Sequence, residues 1–367
     1  MNKHQECGSA FRIFTRLVVF FTILLIWWGA ATTTKQAGMA FADWPLSQGS
    51  VNPEGWLSYM IPFLEHSHRL LGKWVGILVL VMFAWSYIRS WKTLFEVIGL
   101  VLVLATIFGI FIAFGAERQD PDRKQTLLWI ALAASVVPIG WLVWSWTARS
   151  WSLLQKLCGL ALLMVTTQAI FGGVRVTEIS NAFAVVHGCF AQAFFCLLIL
   201  IVMVAGKEWL KPSPRLGMPR ASIALVLIVY AQLIIAASMR HFHRHGLVDT
   251  GIITTQGALI PSFDDPVMTL MFLHKVMAVC ILIFTIVLFV MVERSRREET
   301  PLGSRYVHLL GGTVAIQIIL GISVIMTGKN FWVTNFHVLN GLAILAFSFA
   351  FAVKSRRGGR QPELANS

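Results

Sequence analysis

Long apolar runs alternate with short polar segments along the whole chain. Ten of these runs approach the roughly 20 residues that an α-helix needs to cross a bilayer. Their approximate bounds are 13–31, 67–88, 95–115, 126–147, 153–172, 183–205, 221–239, 268–292, 305–326 and 336–353. Because the apolar residues are continuous rather than alternating, we expect helices and not β-strands to span the membrane. The pattern predicts an all-α polytopic membrane protein with about ten helices, although Pro138 interrupts the fourth run.

Composition and charge agree with this prediction and exclude one class of partner. The 367 residues are 57% hydrophobic and 13% charged, whereas soluble domains carry about 25% charged residues. The net charge of +13 comes largely from cations in the loops after the second, fourth, sixth and eighth runs and in the C-terminal tail. This distribution follows the positive-inside rule, so we expect cytoplasmic N- and C-termini and no binding of nucleic acid.

Four histidines lie near the starts of apolar runs, at the predicted outer ends of their helices: His68, His187, His274 and His337. An imidazole within a bilayer is costly and usually marks a functional site. A single buried histidine is more often a packing residue, but recurrence at matched positions favours metal ligation. Helical bundles hold haem iron with such pairs, so the pattern predicts four iron ligands.

An internal repeat relates the two halves of the chain. Gln168-Ala-Ile-Phe-Gly172 precedes His187 as Gln317-Ile-Ile-Leu-Gly321 precedes His337. The His68–His187 and His274–His337 separations, 119 and 63, become equal once the 56 residues of 94–149 are removed. We therefore predict two pseudo-symmetric four-helix bundles with an inserted transmembrane hairpin in the first. The predicted domains are 1–212, which includes the insert at about 94–149, and 213–367.

Glu65 and His68 lie three residues apart and so share one face of a helix. A carboxylate beside a buried histidine can orient the ring, move a proton or stabilise positive charge on a substrate. The alternative is that Glu65 only stabilises the helix start, where acidic residues are favourable. The functional interpretation makes Glu65 the candidate catalytic residue.

Several cations lie on the side of the membrane where the topology disfavours them. Arg69 follows His68 directly and Lys275 follows His274 directly, while Arg175, Arg240 and Lys329 lie at or beside other outer helix ends. A porphyrin near that surface presents two carboxylates, which these cations could bind. The alternative is snorkelling to lipid phosphate. The tract from Arg240 to His245 lacks the fixed geometry of a zinc or copper site.

The chain resembles the haem A synthase family in several segments. They are Glu65-His66-Ser67-His68-Arg69, Gln168 to Arg175 with Val186-His187-Gly188, Phe272-Leu273-His274-Lys275, Gln317 to Gly321, and Phe336 to Gly341. The resemblance extends over most of the chain except 94–149. It implies a bacterial inner-membrane enzyme that oxidises the C8 methyl of haem O to a formyl group.

The resemblance also implies roles for individual residues. His274 and His337, with Lys275, would hold a haem b cofactor, while His68, His187, Arg69 and Arg175 would surround the substrate haem O. Glu65 would assist oxidation of the methyl group. Candidate partners are a haem O synthase, an electron donor, further copies of the chain and the lipid bilayer.

Two other functions fit parts of the pattern. The first is a non-catalytic bis-histidine cytochrome b subunit in quinol-linked electron transfer, and the second is a haem transporter or chaperone. An electron carrier needs no carboxylate three residues before a ligand, so Glu65 favours the enzyme. A transporter would bind haem loosely and form no formyl product.

Overall fold

The computed structural model describes residues 8–117, 119–209, 219–242, 251–295 and 301–357, and side chains within these except 219, 295 and 301–304. The described residues form ten α-helices and no β-strand, with one 3₁₀ turn at Lys207–Trp209. In chain order, the helices α1 to α10 are Ser9–Thr34, Met60–Tyr87, Trp91–Ala116, Pro121–Ala148, Leu153–Thr177, Asn181–Ala205, Pro219–His241, Pro266–Ser295, Pro301–Met326 and Phe331–Arg357. All ten are long and apolar enough to cross a membrane, which confirms the predicted helical membrane fold.

The chain divides into two compact units, Met1–Trp209 and Leu210–Ser367. In the first unit α1 packs against α2, α2 against α5, α5 against α6, and α6 against α1. In the second unit α7, α8, α9 and α10 close the same kind of ring. The two rings correspond in chain order once α3 and α4 are set aside, as the internal repeat predicts. The predicted boundary at 212/213 lies in 210–218, outside the described residues.

The inserted hairpin consists of α3 and α4, which pack against each other and contact α5. At one end of the hairpin, Arg149 binds both carboxylate oxygens of Glu96, with Nη1–Oε2 and Nη2–Oε1 distances of 2.6 and 2.9 Å. The Tyr87 hydroxyl joins this group from α2. At the other end, Lys124 forms an ion pair of 2.7 Å with Glu178, beyond α5. Polar contacts therefore fix both ends of the hairpin to the first bundle.

Side-chain caps explain where several helices begin. Ser90, Asp120, Ser152 and Ser180 each accept a hydrogen bond from a backbone N–H of the first turn of the helix that follows. Such caps satisfy donors that have no partner within the helix. Pro138 lies inside α4, which continues through it from Pro121 to Ala148.

The packed core of the first unit lies at the end of the bundle away from His68. It combines the later turns of α2, including Val75, Met82 and Phe83, with the first turns of α5 and the last turns of α6. Leu198 and Ile201 are almost fully buried within it. The close packing at this end leaves the opposite end of the bundle for the histidines.

A long loop joins α1 to α2 at 35–59, and the described residues 251–265 form the loop before α8 in the second unit. Each loop contains a tight turn closed by a pair of bridging residues, Ser47 with Ser50 and Thr255 with Ala258. The central residues are Gln-Gly in both turns, with φ of 53° and 70° at Gln48–Gly49 and of 55° and 79° at Gln256–Gly257. Positive φ at both central positions is the geometry that favours glycine in such turns. The internal repeat therefore extends into the loops.

Candidate functional site

His68 lies on α2 and packs against α1 where α1 carries a glycine. A Cβ atom added at Gly29 would lie 2.8 Å from His68 Cε1, so only glycine allows this approach. The neighbouring residue fixes the same contact, because the Trp28 indole N–H donates to Ser67 Oγ at 2.6 Å. The His68 ring is therefore held between the two helices.

His187 lies on α6 and contacts α5 in the same way. A Cβ atom at Gly172 would lie 2.9 Å from His187 Cε1. The ring nitrogen Nδ1 lies 3.1 Å from the Gln168 carbonyl oxygen. A carbonyl only accepts, so Nδ1 carries the proton in this bond and Nε2 presents its lone pair. That is the form in which an imidazole binds a metal through Nε2.

In the second unit, His274 on α8 and His337 on α10 face each other, with ring centroids 6.3 Å apart. Gly321 of α9 lies against His337, where an added Cβ would be 3.3 Å from Cε1. Nδ1 of His274 is buried and has no hydrogen-bond partner. Buried polar atoms are rarely left unpaired. An unpaired one is therefore typical of a site that takes a ligand.

Glutamine side chains contact the histidines in both units. Gln168 Nε2 lies 3.4 Å from His187 Nε2 and also donates to the His187 carbonyl at 3.0 Å. In the second unit Gln317 Nε2 lies 3.2 Å from His337 Nε2. Gln232 of α7 donates to the His274 carbonyl at 2.8 Å.

Glu65 is buried beneath the first long loop and binds it through both oxygens. Oε2 accepts hydrogen bonds from the Ala40 and Phe41 amides at 2.5 and 3.2 Å. Oε1 forms an ion pair with Arg69 Nη2 at 2.5 Å. The carboxylate therefore joins α2 to the loop, on the helix that also carries His68.

Arg69 and Lys275 hold the long loops by equivalent contacts. Arg69 Nη1 donates to the carbonyls of Asp43 and Leu46 and, at 3.4 Å, to Ser47 Oγ. Lys275 Nζ donates to the corresponding acceptors of the second loop, at 2.8 Å to Gly251 O, 2.7 Å to Thr254 O and 3.2 Å to Thr255 Oγ1. Each cation thus ties a Gln-Gly turn to the helix of the preceding histidine.

The comparison with protein families identifies the chain. A family model described as cytochrome oxidase assembly protein matches residues 126–349, which include His187, His274 and His337. The chain belongs to this family. It is the haem A synthase family that the motifs resemble, and its members take part in cytochrome oxidase assembly. No curated protein matches the chain.

The family match extends over part of the chain only. It begins inside α4, so it includes 126–149, which we expected to lie outside the likeness, and it leaves out α1 to α3. Glu65, His68 and Arg69 therefore lie outside the match to the assembly protein family. The helix that carries them has the same place in its ring of helices as α8 has in the second unit. Arg69 also contacts its loop as Lys275 contacts the loop of the second unit.

The remaining predicted cations occupy different places. The Arg175 guanidinium packs against Gly38 of the first loop, where a Cβ would lie 2.3 Å from Nη2. Arg240 lies in the last turn of α7. Lys329 has a φ of 65° in the turn between α9 and α10. Contact of these cations, or of Arg69 and Lys275, with haem carboxylates stays a prediction.

The histidine tract after α7 lies mostly outside the described residues. His241 ends α7, whereas His243 and His245 fall within 243–250. Among the residues that the structure describes, no three His, Cys, Asp or Glu side chains form a cluster that could hold a metal ion.

Sequence reasoning used Gln168 and Gln317 only as markers of the repeat and missed their contacts with histidine. Their near-equal separations from His187 and His337, 19 and 20 residues, were the available signal. The Gln-Gly turns of the loops were missed as well, although the two dipeptides are visible in the sequence.

Proposed function

We propose that this member of the cytochrome oxidase assembly protein family is a haem A synthase, which oxidises the C8 methyl of haem O to a formyl group. The observation that carries the proposal is the facing pair His274 and His337, with centroids 6.3 Å apart, in a chain whose first unit repeats the ring order of the helices. Family membership supplies the link to cytochrome oxidase.

The second unit fits a resident haem b held by His274 and His337. Two metal–imidazole bonds of about 2 Å place the nitrogens about 4 Å apart, and the ring centroids then lie somewhat further apart, as the 6.3 Å separation does. The unpaired Nδ1 of His274 is also consistent with a ligand site. When bound, such a bis-histidine haem would supply one-electron transfer.

The first unit would then bind the substrate haem O between His68 and His187. Gly29 and Gly172 let the helices approach these rings closely, which fixes the imidazoles. The role of the protein is to position the methyl group and to exclude water and competing reactions.

Glu65 would act at the edge of this substrate site. Its carboxylate is held by Arg69 and by two loop amides, so its position relative to His68 is fixed. A fixed negative charge stabilises positive charge that develops nearby during oxidation. Conversion of the methyl group to a formyl group would remove four electrons and four protons and add the oxygen of one water molecule, with the electrons passing to an external acceptor. The hydroxymethyl group and the gem-diol would be the intermediates, and the gem-diol would lose water to give the aldehyde.

The charge distribution supports a bacterial inner-membrane location with cytoplasmic termini. Arg89, Arg149 and the cations of the C-terminal tail lie at the same predicted side of the ten helices. The long loops and the histidine ends of the helices would then face the periplasm.

The proposal is tested by co-expressing the chain with a source of haem O and analysing the extracted pigments. We expect haem A together with a hydroxymethyl precursor. The His274→Ala and His337→Ala variants should lose the absorbance of the resident haem, and Gly140→Ala on the exposed face of α4 should keep it.

Three outcomes contradict the proposal or part of it. A stable haem spectrum without haem A or its precursor would instead indicate an electron-transfer subunit. Loosely bound haem without a formyl product would indicate a transporter. Unchanged absorbance in both histidine variants would refute the assignment of the ligands.

A further inference from the structure

The two units differ in how they satisfy the glutamine beside the histidine. In the second unit Asn340 Nδ2 donates to Gln317 Oε1 at 2.7 Å and to the Thr313 carbonyl at 2.8 Å. The Gln317 carboxamide is therefore bonded at its oxygen by Asn340 and at its nitrogen by His337. Both polar atoms of this side chain therefore have a partner within the protein.

In the first unit the corresponding acceptor has no partner. Phe190 lies three residues after His187, as Asn340 lies three residues after His337, and a phenyl ring donates no hydrogen bond. Phe190 instead packs edge-on against Phe171, with ring centroids 5.3 Å apart. Gln168 Oε1 is buried and unpaired, while its Nε2 is held at 3.0 Å from the His187 carbonyl.

A buried, unpaired carbonyl oxygen is costly, and the cost is removed when a ligand donates a hydrogen bond to it. Gln168 Nε2 lies 3.4 Å from His187 Nε2, so the carboxamide lies beside the ring that would face a ligand of the first unit. A ligand there gains affinity if it carries a hydroxyl group, and an otherwise similar ligand without one is disfavoured.

Haem O and haem b differ in this respect. Haem O carries a hydroxyl group on its isoprenoid-bearing side chain, where haem b has a vinyl group. We propose that Gln168 is a specificity-determining residue: its carboxamide oxygen accepts a hydrogen bond from the side-chain hydroxyl of haem O in the first unit. In the second unit Asn340 occupies the equivalent acceptor, Gln317 Oε1. This inference rests on the proposed function, because it takes haem O as the ligand of the first unit.

A control variant lies away from both histidine pairs. Gly140 is on the exposed face of α4, and no atom lies within 4 Å of a Cβ added there. The Gly140→Ala variant should therefore leave haem binding by both units unchanged.

The test measures binding rather than turnover. Full-length protein in detergent, already loaded with haem b, is titrated with haem O or with further haem b, and binding is followed by the change in absorbance. We expect the wild type to prefer haem O. The Gln168→Leu variant should reduce the ratio of the haem O affinity to the haem b affinity about tenfold, mainly by weakening the binding of haem O.

A second variant tests the inference even if Gln168→Leu does not fold. Phe190→Asn copies the partner that Gln317 has, so it should satisfy Gln168 Oε1 internally and reduce the same ratio. Correct folding is checked by the unchanged spectrum of the resident haem and by the thermal unfolding midpoint.

The results separate this inference from the proposed function. An absence of preference in the wild type, or an unchanged ratio in both Gln168→Leu and Phe190→Asn, would overturn the inference. Preference for haem O that depends on Gln168, in a protein that forms no haem A, would support the inference as a binding property and refute the enzyme.

Discussion

Arg69 in the first unit and Lys275 in the second donate to equivalent acceptors of the two long loops. Each follows a buried histidine directly and binds two carbonyls and one hydroxyl around a Gln-Gly turn. Arginine and lysine satisfy these acceptors in the same protein, so a single positive charge with several donors is sufficient at this position. Because each cation follows a histidine directly and binds the loop, it holds the loop close to that histidine.

This equivalence predicts the effect of replacing Lys275. The Lys275→Met variant keeps much of the side-chain length but leaves the Gly251 and Thr254 carbonyls without this donor. Each partly buried carbonyl that loses its partner costs about 1–3 kcal/mol. We expect faster proteolysis within 251–258 and a lower unfolding midpoint. Lys275→Arg should restore the resistance, and equal cleavage of all three proteins would contradict the anchoring role.

The hydrogen bonds to Asp43 predict that the stability of the first loop depends on pH. Partial burial raises the pKa of Asp43, but hydrogen bonds from the Gly49 and Gln48 amides, together with the charge of Arg69, outweigh it and lower the pKa below 3.8. Asp43 therefore stabilises the loop in full above the pKa that it has in the unfolded chain. This stabilisation is lost as the pH falls through the lower pKa that Asp43 has in the folded protein. Hydrogen exchange at the Gln48 and Gly49 amides should accelerate only in strong acid.

The matched variant for this prediction is Asp43→Asn. The uncharged amide accepts fewer hydrogen bonds, so both amides should exchange faster at neutral pH and the acid dependence should disappear. A wild-type loop whose exchange shows the same acid dependence as this variant would refute the contribution of the carboxylate.

Gly172 predicts a steric effect on His187. In Gly172→Ala the new Cβ would lie 2.9 Å from Cε1 of the ring, so the imidazole or α5 must move. Overpacking of this kind costs about 1–3 kcal/mol. We expect weaker binding of the substrate haem and a lower unfolding midpoint. Gly140→Ala is the control, because no atom lies within 4 Å of its added Cβ.

The same substitution in the second unit should have a smaller effect. A Cβ at Gly321 would lie 3.3 Å from His337 Cε1, a distance that a shift of a few tenths of an ångström relieves. Gly321→Ala should therefore change the absorbance of the resident haem only slightly. A larger effect at Gly321 than at Gly172 would contradict the approach distances in the structure.

Glu65 combines a structural and a proposed catalytic role, and two variants separate them. Glu65→Gln keeps an oxygen for the Ala40 and Phe41 amides but removes the charge that binds Arg69. We expect little or no haem A while the spectrum of the second unit is unchanged. Glu65→Ala should also lower the unfolding midpoint, since breaking a buried ion pair costs about 3–5 kcal/mol. Full activity of Glu65→Gln would exclude a catalytic charge.

Arg149 predicts how firmly the inserted hairpin is attached. Its two bonds to Glu96 and one to the Tyr87 hydroxyl join the end of α4 to α3 and α2. Arg149→Met should loosen this end, which is measured as faster hydrogen exchange in α3 and α4. The absorbance of the haem in the second unit should not change, and a loss of that absorbance would contradict the attachment to the first unit.

The sequence was sufficient to predict the helices and their repeat, because each signal is local. A run of about 20 apolar residues defines a membrane helix without reference to its neighbours. The separations between glutamine and histidine predicted the correspondence of α5 with α9 and of α6 with α10.

The loop contacts could not be predicted in this way, because they join residues far apart in the sequence. Arg69 and Lys275 carry the charge expected for binding haem carboxylates, yet several of their donors bind loop carbonyls 21 to 28 residues away. Glu65 likewise reaches backbone amides 24 and 25 residues earlier. Such contacts depend on the path of the loop, on which a charge pattern gives no information.

Trp44 makes the first loop different from the second. Its indole lies on Gly173 of α5, where a Cβ would be 2.5 Å away, and touches Phe108 of the inserted hairpin at 4.9 Å between centroids. The second unit has no such extra pair of helices among its described residues. The chain thus contains two copies of the same four-helix unit, and the inserted hairpin packs against one of them. Each unit serves as an internal reference for experiments on the other.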